Sequence, residues 1–196
     1  MAERADAARN RRLLLDAALE IATDSGVGAL TMEAVAARAG VGVGTVYRRF
    51  KDRAGLANAL LDDSERQFQD AFIHGPPPLG PGAPPATRVR AFLHAYIDRL
   101  DLRADLLVLA EMHSPTSRFH SPPYRTQRAH LAALVGRAQP SADATYLADA
   151  LLAVVGAGLF LHQRRELGYT LAQVKTGVDQ LLGGLCAPDA GCPPDP

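Results

Sequence analysis

The chain has 196 residues, 21 basic against 21 acidic side chains and 47% hydrophobic content. That length and apolar share suffice for a packed core in one medium or two small domains and exclude a low-complexity or polyelectrolyte chain. Aromatic residues at 6%, no Trp and no alternating runs of Val, Ile, Thr and aromatics exclude a sheet-built fold, and the abundance of Ala and Leu predicts an all-α one. Residues 1–12 carry Arg4, Arg9, Arg11 and Arg12 and have no apolar face before Leu13. They read as a frayed arm, either a solvated tail or an arm laid on phosphates, without the apolar stretch of a signal peptide. Leu14, Ala17, Ala18, Ile21 and Ala22 then form a helical stripe over about 8–25, with Gly26 just past its end as a C-cap.

Residues 31–53, TMEAVAARAGVGVGTVYRRFKDR, predict two short helices set at an angle. Met32, Val35, Ala36 and Ala39 recur at helical spacing behind Thr31, whose hydroxyl suits an N-cap. Gly40 supplies the left-handed backbone that ends this helix, and Val41 returns to the core. A second helix over 43–50 buries Val46 and Phe50 and turns Thr45, Tyr47 and Arg48 outward. Helix, glycine turn and helix make a helix-turn-helix, whose second helix is sized for the major groove of B-DNA. From 38 to 53 there are Arg38, Arg48, Arg49, Lys51 and Arg53 against Asp52, five minus one, a local charge of +4 that suits phosphate.

Asp52 caps a fourth helix carrying Leu56, Leu60, Phe68 and Phe72. Residues 75–85, with six Pro and three Gly, read as a stiff connecting loop. Thr87 is placed as the cap of the next apolar pattern, from Val89 to Met112, which periodicity alone leaves as one helix or two. Residues 115–123 read as a loop, and Pro122-Pro123 opens a helix that stops at Pro140. Ser141 caps the longest predicted helix, about 142–167 and closed by Gly168, whose middle is apolar on all sides and must be covered all round. Its longest apolar run, 150–161, falls short of the ~20 residues that span a bilayer, so no membrane partner is expected. Thr170 and Gln173 have capping-box spacing ahead of a seam of Leu171, Val174, Val178, Leu181 and Leu185. Cys186 and Cys192 fall in a Pro-rich stretch, 186–196, that reads as a disordered tail with free thiols, and a reducing cytoplasm fits.

No nucleophile elbow, phosphate loop or paired-carboxylate motif occurs, so no catalytic residue and no cofactor are expected. The six histidines do not pair at three or four residues, so no metal site is expected. His94 and Asp98 form the best local pair, as a hydrogen bond. Glu111, His113, Gln127, His130 and Gln163 are polar groups among apolar helices and suit a pocket for a mostly apolar ligand. Phe92, Tyr96, Met112, His113, Tyr124, Gln127, Phe160 and Gln163 are its candidate contacts. The long apolar helix and the seam after it predict a two-fold homodimer through Leu152, Gly156, Leu159, Leu171, Val174, Val178 and Leu181.

The order AxxAGVxxGTVYRRF, with LLLDAALEIATDSGVGALTMEAVA upstream, resembles the DNA-binding domain of the TetR family of bacterial repressors over about sixty residues. The resemblance implies an N-terminal three-helix helix-turn-helix domain, residues 1–53, joined to a helical ligand-binding and dimerisation bundle, residues 54–185, with about nine helices in all. It also implies a break near 101–104 in the helix after the proline loop. By resemblance, Thr45 touches a base edge or phosphate, Tyr47 gives its hydroxyl to a phosphate, and Arg53 stands where the family usually has Lys and holds the DNA backbone. Thr31 offers its hydroxyl or amide to phosphate. Where relatives often have Ser and Lys this chain has Gly42 and Val43, so with Gly44 the tip of the reading helix is poor in donors. Base reading then rests on Thr45 and Arg48, with Val43 against a thymine methyl and Arg49 and Lys51 adding charge. The expectation is a cytoplasmic repressor of double-stranded operator DNA, released by a small effector; its rival is a helical carrier or enzyme that keeps the helix-turn-helix as a scaffold.

Overall fold

The computed structural model of the chain describes residues 2–111 and 116–185, which form ten α-helices and no strand, as the composition predicts. They fall into two compact units, Met1–Arg66 with Arg103–His120 and Gln67–Leu102 with Ser121–Pro196. Residues 186–196, read from sequence as a tail, lie outside the described residues.

The first unit contains α1 (Ala2–Ser25), a 3-10 turn (Val27–Ala29), α2 (Met32–Ala39), α3 (Val43–Phe50) and the start of α4 (Arg53–Ile73). The end of α5 (Pro85–Ala110) and the short α6 (Ser117–His120) complete it. Leu14, Ile21, Leu30, Val35, Val46, Phe50, Leu56, Leu61, Leu106 and Leu109 share one core. Because Leu56 and Leu61 belong to that core, the division expected at residue 53 falls inside the first unit. The expected frayed arm is instead helix from Ala2. Arg11 there reaches Asp62 of α4 at 3.2 Å, a contact between residues 51 apart that local reading does not see.

The second unit holds the rest of α4 and α5 together with α7 (Pro122–Ala138), α8 (Ala144–Val154), α9 (Ala157–Leu161), a π-helical turn (His162–Glu166) and α10 (Leu171–Leu185). Phe72, Phe92, Leu93, Ile97, Leu100, Leu131 and Leu152 are its most deeply buried side chains. The proline loop is tied down by Arg88, whose guanidinium donates to the carbonyls of Phe72 at 2.9 Å and Leu79 at 3.4 Å.

Several local expectations are met. Gly26 and Gly168 have positive φ past their helices. Pro122-Pro123 opens α7 as expected, behind a Ser121 cap that sequence reading did not name, whose oxygen accepts from the Tyr124 amide. Thr170 and Gln173 close a reciprocal capping box, 3.2 Å one way and 2.8 Å the other. Others are corrected. The helix after the loop runs unbroken from Pro85 to Ala110, because no Gly or Pro interrupts it, and it starts at Pro85 rather than behind a Thr87 cap. A short helix, α6, interrupts the expected loop at 115–123. The long helix expected over 142–167 is capped by Asp143, which accepts from the Thr145 and Tyr146 amides, and not by Ser141. It also leaves the α-helical path at Val155, and extended Gly156 opens α9. A β-branched pair followed by glycine is a costly sequence to keep helical. His94 pairs with Asp179 at 2.8 Å, not with Asp98, which instead meets Lys175 at 2.6 Å. The stretch Ala144–Glu166 is long and apolar enough by length and composition to cross a membrane, although only 39% of its most apolar window is buried. The expectation that this stretch is covered all round is not met within one chain.

Candidate nucleic-acid interface

Ala36 and Ala37 end α2 in a Schellman pair: the Gly40 amide donates to the Ala37 carbonyl at 3.3 Å and the Val41 amide to the Ala36 carbonyl at 3.0 Å. This closure needs the left-handed backbone of Gly40, φ 67°. It turns the chain so that α3 starts two residues later from extended Gly42, with no side chain capping its first amides. Val46 and Phe50 anchor α3 in the core. Val43, Tyr47, Arg48 and Arg49 are exposed, and Thr45 is half-buried. A Cβ at Gly42 or Gly44 would meet nothing within 4 Å, so the tip of α3 is open. At the other end Gly55 is obligatory, since a Cβ there would lie 2.0 Å from the Phe50 carbonyl oxygen. The Asp52 carboxylate, 2.8 Å from the Gly55 amide, caps α4 at that crossing.

All ten residues expected at DNA lie in the first unit. The Thr31 oxygen accepts from the Ala34 amide at 3.0 Å, which leaves its hydroxyl proton to donate. The Tyr47 hydroxyl donates to Glu33 at 3.3 Å. Glu33 also raises the Tyr47 pKa above the ordinary phenol value, by its charge first, so the phenol stays a donor. Arg48 donates to the Thr45 hydroxyl at 3.4 Å, a pairing on the outward face. Lys51 is exposed, with φ 68°. Arg53 differs from the expected phosphate clamp: its Nε donates to the Leu30 carbonyl at 2.7 Å and one Nη to the carbonyls of Val27 and Gly28 at 3.3 and 3.4 Å. It therefore fixes the turn that presents Thr31. Arg38 is drawn onto Glu20 and Asp24, and Arg48, Arg49 and Lys51 are exposed. The role of Glu33 was not legible beforehand; its one sequence signal is an acid in the first turn of α2.

In the second unit Phe92 and Tyr96 join Phe68 and Phe72 in a ring cluster with centroids 5.0 to 6.3 Å apart. The His130 ring lies 4.4 Å from Phe72 and 5.6 Å from Phe92, with Nε2 buried and without a partner. Burial first, and Arg88 second, push its pKa down to about 4, so the ring is neutral at pH 7. Tyr124, Gln127 and Phe160 are buried. The Tyr124 hydroxyl donates to Asp149 at 2.7 Å, which Arg128 also holds at 2.6 Å. Gln163 is half-buried, and its carbonyl receives the Tyr169 amide. Met112 and His113 lie outside the described residues. Glu111 belongs to the first unit, beside Arg118. Sequence reading missed Phe68 and Phe72 as neighbours of Phe92, because the register between α4 and α5 is not written in either.

Of the residues expected at a subunit seam, Leu152, Gly156, Val174 and Val178 are buried within the single chain. Leu159 and Leu181 are exposed at 44% and 52%, and Leu171 is half-buried. Tyr146 on α8 and Leu167 just past the π-helical turn are exposed as well, at 69% and 51%.

Comparison with known proteins adds four findings. Residues 14–60 match the family model described as bacterial regulatory proteins, tetR family. The HTH-type transcriptional regulator BetI of Cronobacter sakazakii is 30% identical over 158 residues, 77% of each chain. Among solved structures, FadR from Bacillus subtilis in complex with stearoyl-CoA aligns with a TM-score of 0.64 at 15% identity, over 87% of this chain and 96% of that one. The SmeT–triclosan complex aligns at 0.63 and 20% identity, over 96% and 98%.

Proposed function

Since the chain belongs to the TetR family of bacterial regulatory proteins, we propose that it is a cytoplasmic repressor that leaves its operator when a small, mostly apolar effector binds the second unit. The observation that carries the DNA half is the outward face of α3. Thr45, Tyr47 and Arg48 stand on a helix anchored by Val46 and Phe50, behind a glycine turn and beside exposed Arg49 and Lys51. Arg48 reads a base edge, Tyr47 exchanges Glu33 for a phosphate oxygen, and the free hydroxyl proton of Thr31 meets a second phosphate. Arg53 serves as the brace of this surface.

The effector half rests on the aromatic cluster around Phe92 and Tyr96, with Gln127 and neutral His130 as its polar members. Rings with few charges suit an apolar or aromatic compound oriented by one or two hydrogen bonds. The structural neighbour solved with triclosan supports a ligand of that character. In a two-fold dimer the reading helices must stand about 34 Å apart to enter successive major grooves, so a small rotation spoils both half-sites. Because α4 is one continuous helix shared by both units, it can pass such a rotation from effector to reader. Linkage then requires operator and effector to weaken each other equally, by roughly 5- to 150-fold for a coupling of ~1–3 kcal/mol. Calorimetric titration of triclosan, as an apolar probe, with and without operator tests this. Binding that is equally tight in both would remove the switch and favour the carrier reading.

A further inference from the structure

The second unit has a cleft that the aromatic cluster does not use. It lies where the first turns of α5, the last turn of α7, the first half of α8 and the end of α10 meet, and its volume is about 360 Å³. Three small residues leave that space: Ala86 on α5, Ala138 on α7, and Gly183 on α10, where a Cβ would meet nothing within 4 Å. Its walls are the buried Val89, Val135 and Leu151 and the half-buried Leu147 and Leu182. Four polar residues join them. Arg90 and Asp179 close on each other in a two-pronged pair, Nε to Oδ1 at 2.7 Å and one Nη to Oδ2 at 2.6 Å, and His94 Nε2 lies 2.8 Å from Oδ1. Hydrogen bonding from Arg90 first holds the Asp179 carboxyl below the usual carboxylate range, so the two charges stay opposed and cancel. The third polar residue, Gln139, is a neutral amide. The fourth, Thr87, stands one turn before Arg90, and its hydroxyl has no hydrogen-bond partner among the described residues.

We propose that this cleft binds a small uncharged compound, mostly hydrocarbon, with one hydroxyl or carbonyl oxygen that bonds the Thr87 hydroxyl and a body laid against Val89, Val135 and Leu151. The charge arrangement selects a neutral ligand. Arg90 and Asp179 are committed to each other, so an ionised ligand would enter apolar walls without a counter-charge, which costs more than burying a hydroxyl that finds a partner. The valine and leucine walls supply affinity through the apolar surface they remove from water. The volume lies at the lower end of the ~300–1,000 Å³ usual for small-molecule sites. None of Phe68, Phe72, Phe92 and Tyr96 lines this cleft, so it is a second site that stands independently of the effector reading of those rings.

The test is calorimetric titration of the full-length protein with 1-octanol, set against octanoate and octylamine as anionic and cationic analogues of the same chain length. Octanol binds roughly ten-fold tighter than either ion, because only the ions must be buried as unpaired charges. Thr87→Val keeps the shape of an exposed side chain and removes its hydroxyl; it weakens octanol binding about three- to ten-fold, the loss of one hydrogen bond. In the parent protein octanol shifts the amide resonances of Thr87, Val89, Val135 and Leu182, a readout that needs no variant. Failure of octanol to bind, equally tight binding of octanoate or octylamine, or unchanged affinity in Thr87→Val would each overturn the proposal. Shifts confined to Phe92 and Tyr96 would overturn it as well, while leaving the aromatic cluster as the effector site.

Discussion

His130 shows how a single side chain takes its chemistry from packing. Stacked on Phe72 and Phe92, with Nε2 buried and unpartnered, its ring resists protonation until about pH 4. The unfolded chain takes up that proton near pH 6.5, so the stability contributed by the neutral ring is complete above about 6.5 and is lost as pH falls toward 4. Between pH 7 and pH 5 the loss is about 2 kcal/mol, and His130→Phe should remove that part of the slope. Urea denaturation of both proteins at the two pH values checks this; equal slopes would show that His130 is not the group responsible. Other residues show where sequence reading stops. The identities of Thr45, Tyr47, Arg48 and Arg53 were legible as a basic reading surface, but their partners were not. Arg53 turns onto three carbonyls, and His94 finds Asp179 85 residues away instead of its neighbour Asp98. Local spacing carries no information about such pairs.

Elements were legible where a side chain acts on its own backbone. The Gly40 closure, the proline start of α7 and the Thr170–Gln173 box were all readable because each is set by residues at most five apart. The break at Val155–Gly156 and the unbroken α5 were not read, although Val154-Val155-Gly156 and the absence of Gly or Pro were local signals for them, and the extra turns of α1 lack an apolar face to announce them. Gly55 is a place where an element rule inverts. Glycine inside a helix ordinarily costs about 0.5–1 kcal/mol relative to alanine, and Gly44→Ala on the open tip of α3 should recover that much. Gly55→Ala instead drives a Cβ to 2.0 Å from the Phe50 carbonyl oxygen and should destabilise by about 2–4 kcal/mol, because backbone must move. Chemical denaturation of the two variants should therefore shift in opposite directions. A Gly55→Ala protein as stable as the parent would mean that the α3–α4 corner is looser than described.

At the scale of the whole molecule, the chain leaves apolar surface that its own helices do not cover. Leu159, Leu167, Leu181 and Tyr146 are exposed on the last elements of the second unit, and a second copy related by a two-fold axis is the cover we propose. Leu159→Glu with Leu181→Glu should sediment as a monomer at micromolar concentration, whereas the parent should sediment as a dimer; a monomeric parent would remove this reading. The central claim concerns DNA, and it is tested most directly by the salt dependence of binding to duplex fragments that the protein retains from bacterial genomic DNA. The account predicts an affinity that falls linearly with salt on a logarithmic scale. It also predicts that Thr45→Ala, Tyr47→Phe and Arg48→Ala together weaken binding about ten-fold or more and, because Arg48 is the one cation removed, change the salt slope by no more than about one unit. Equal affinity in the parent and the triple variant would contradict it.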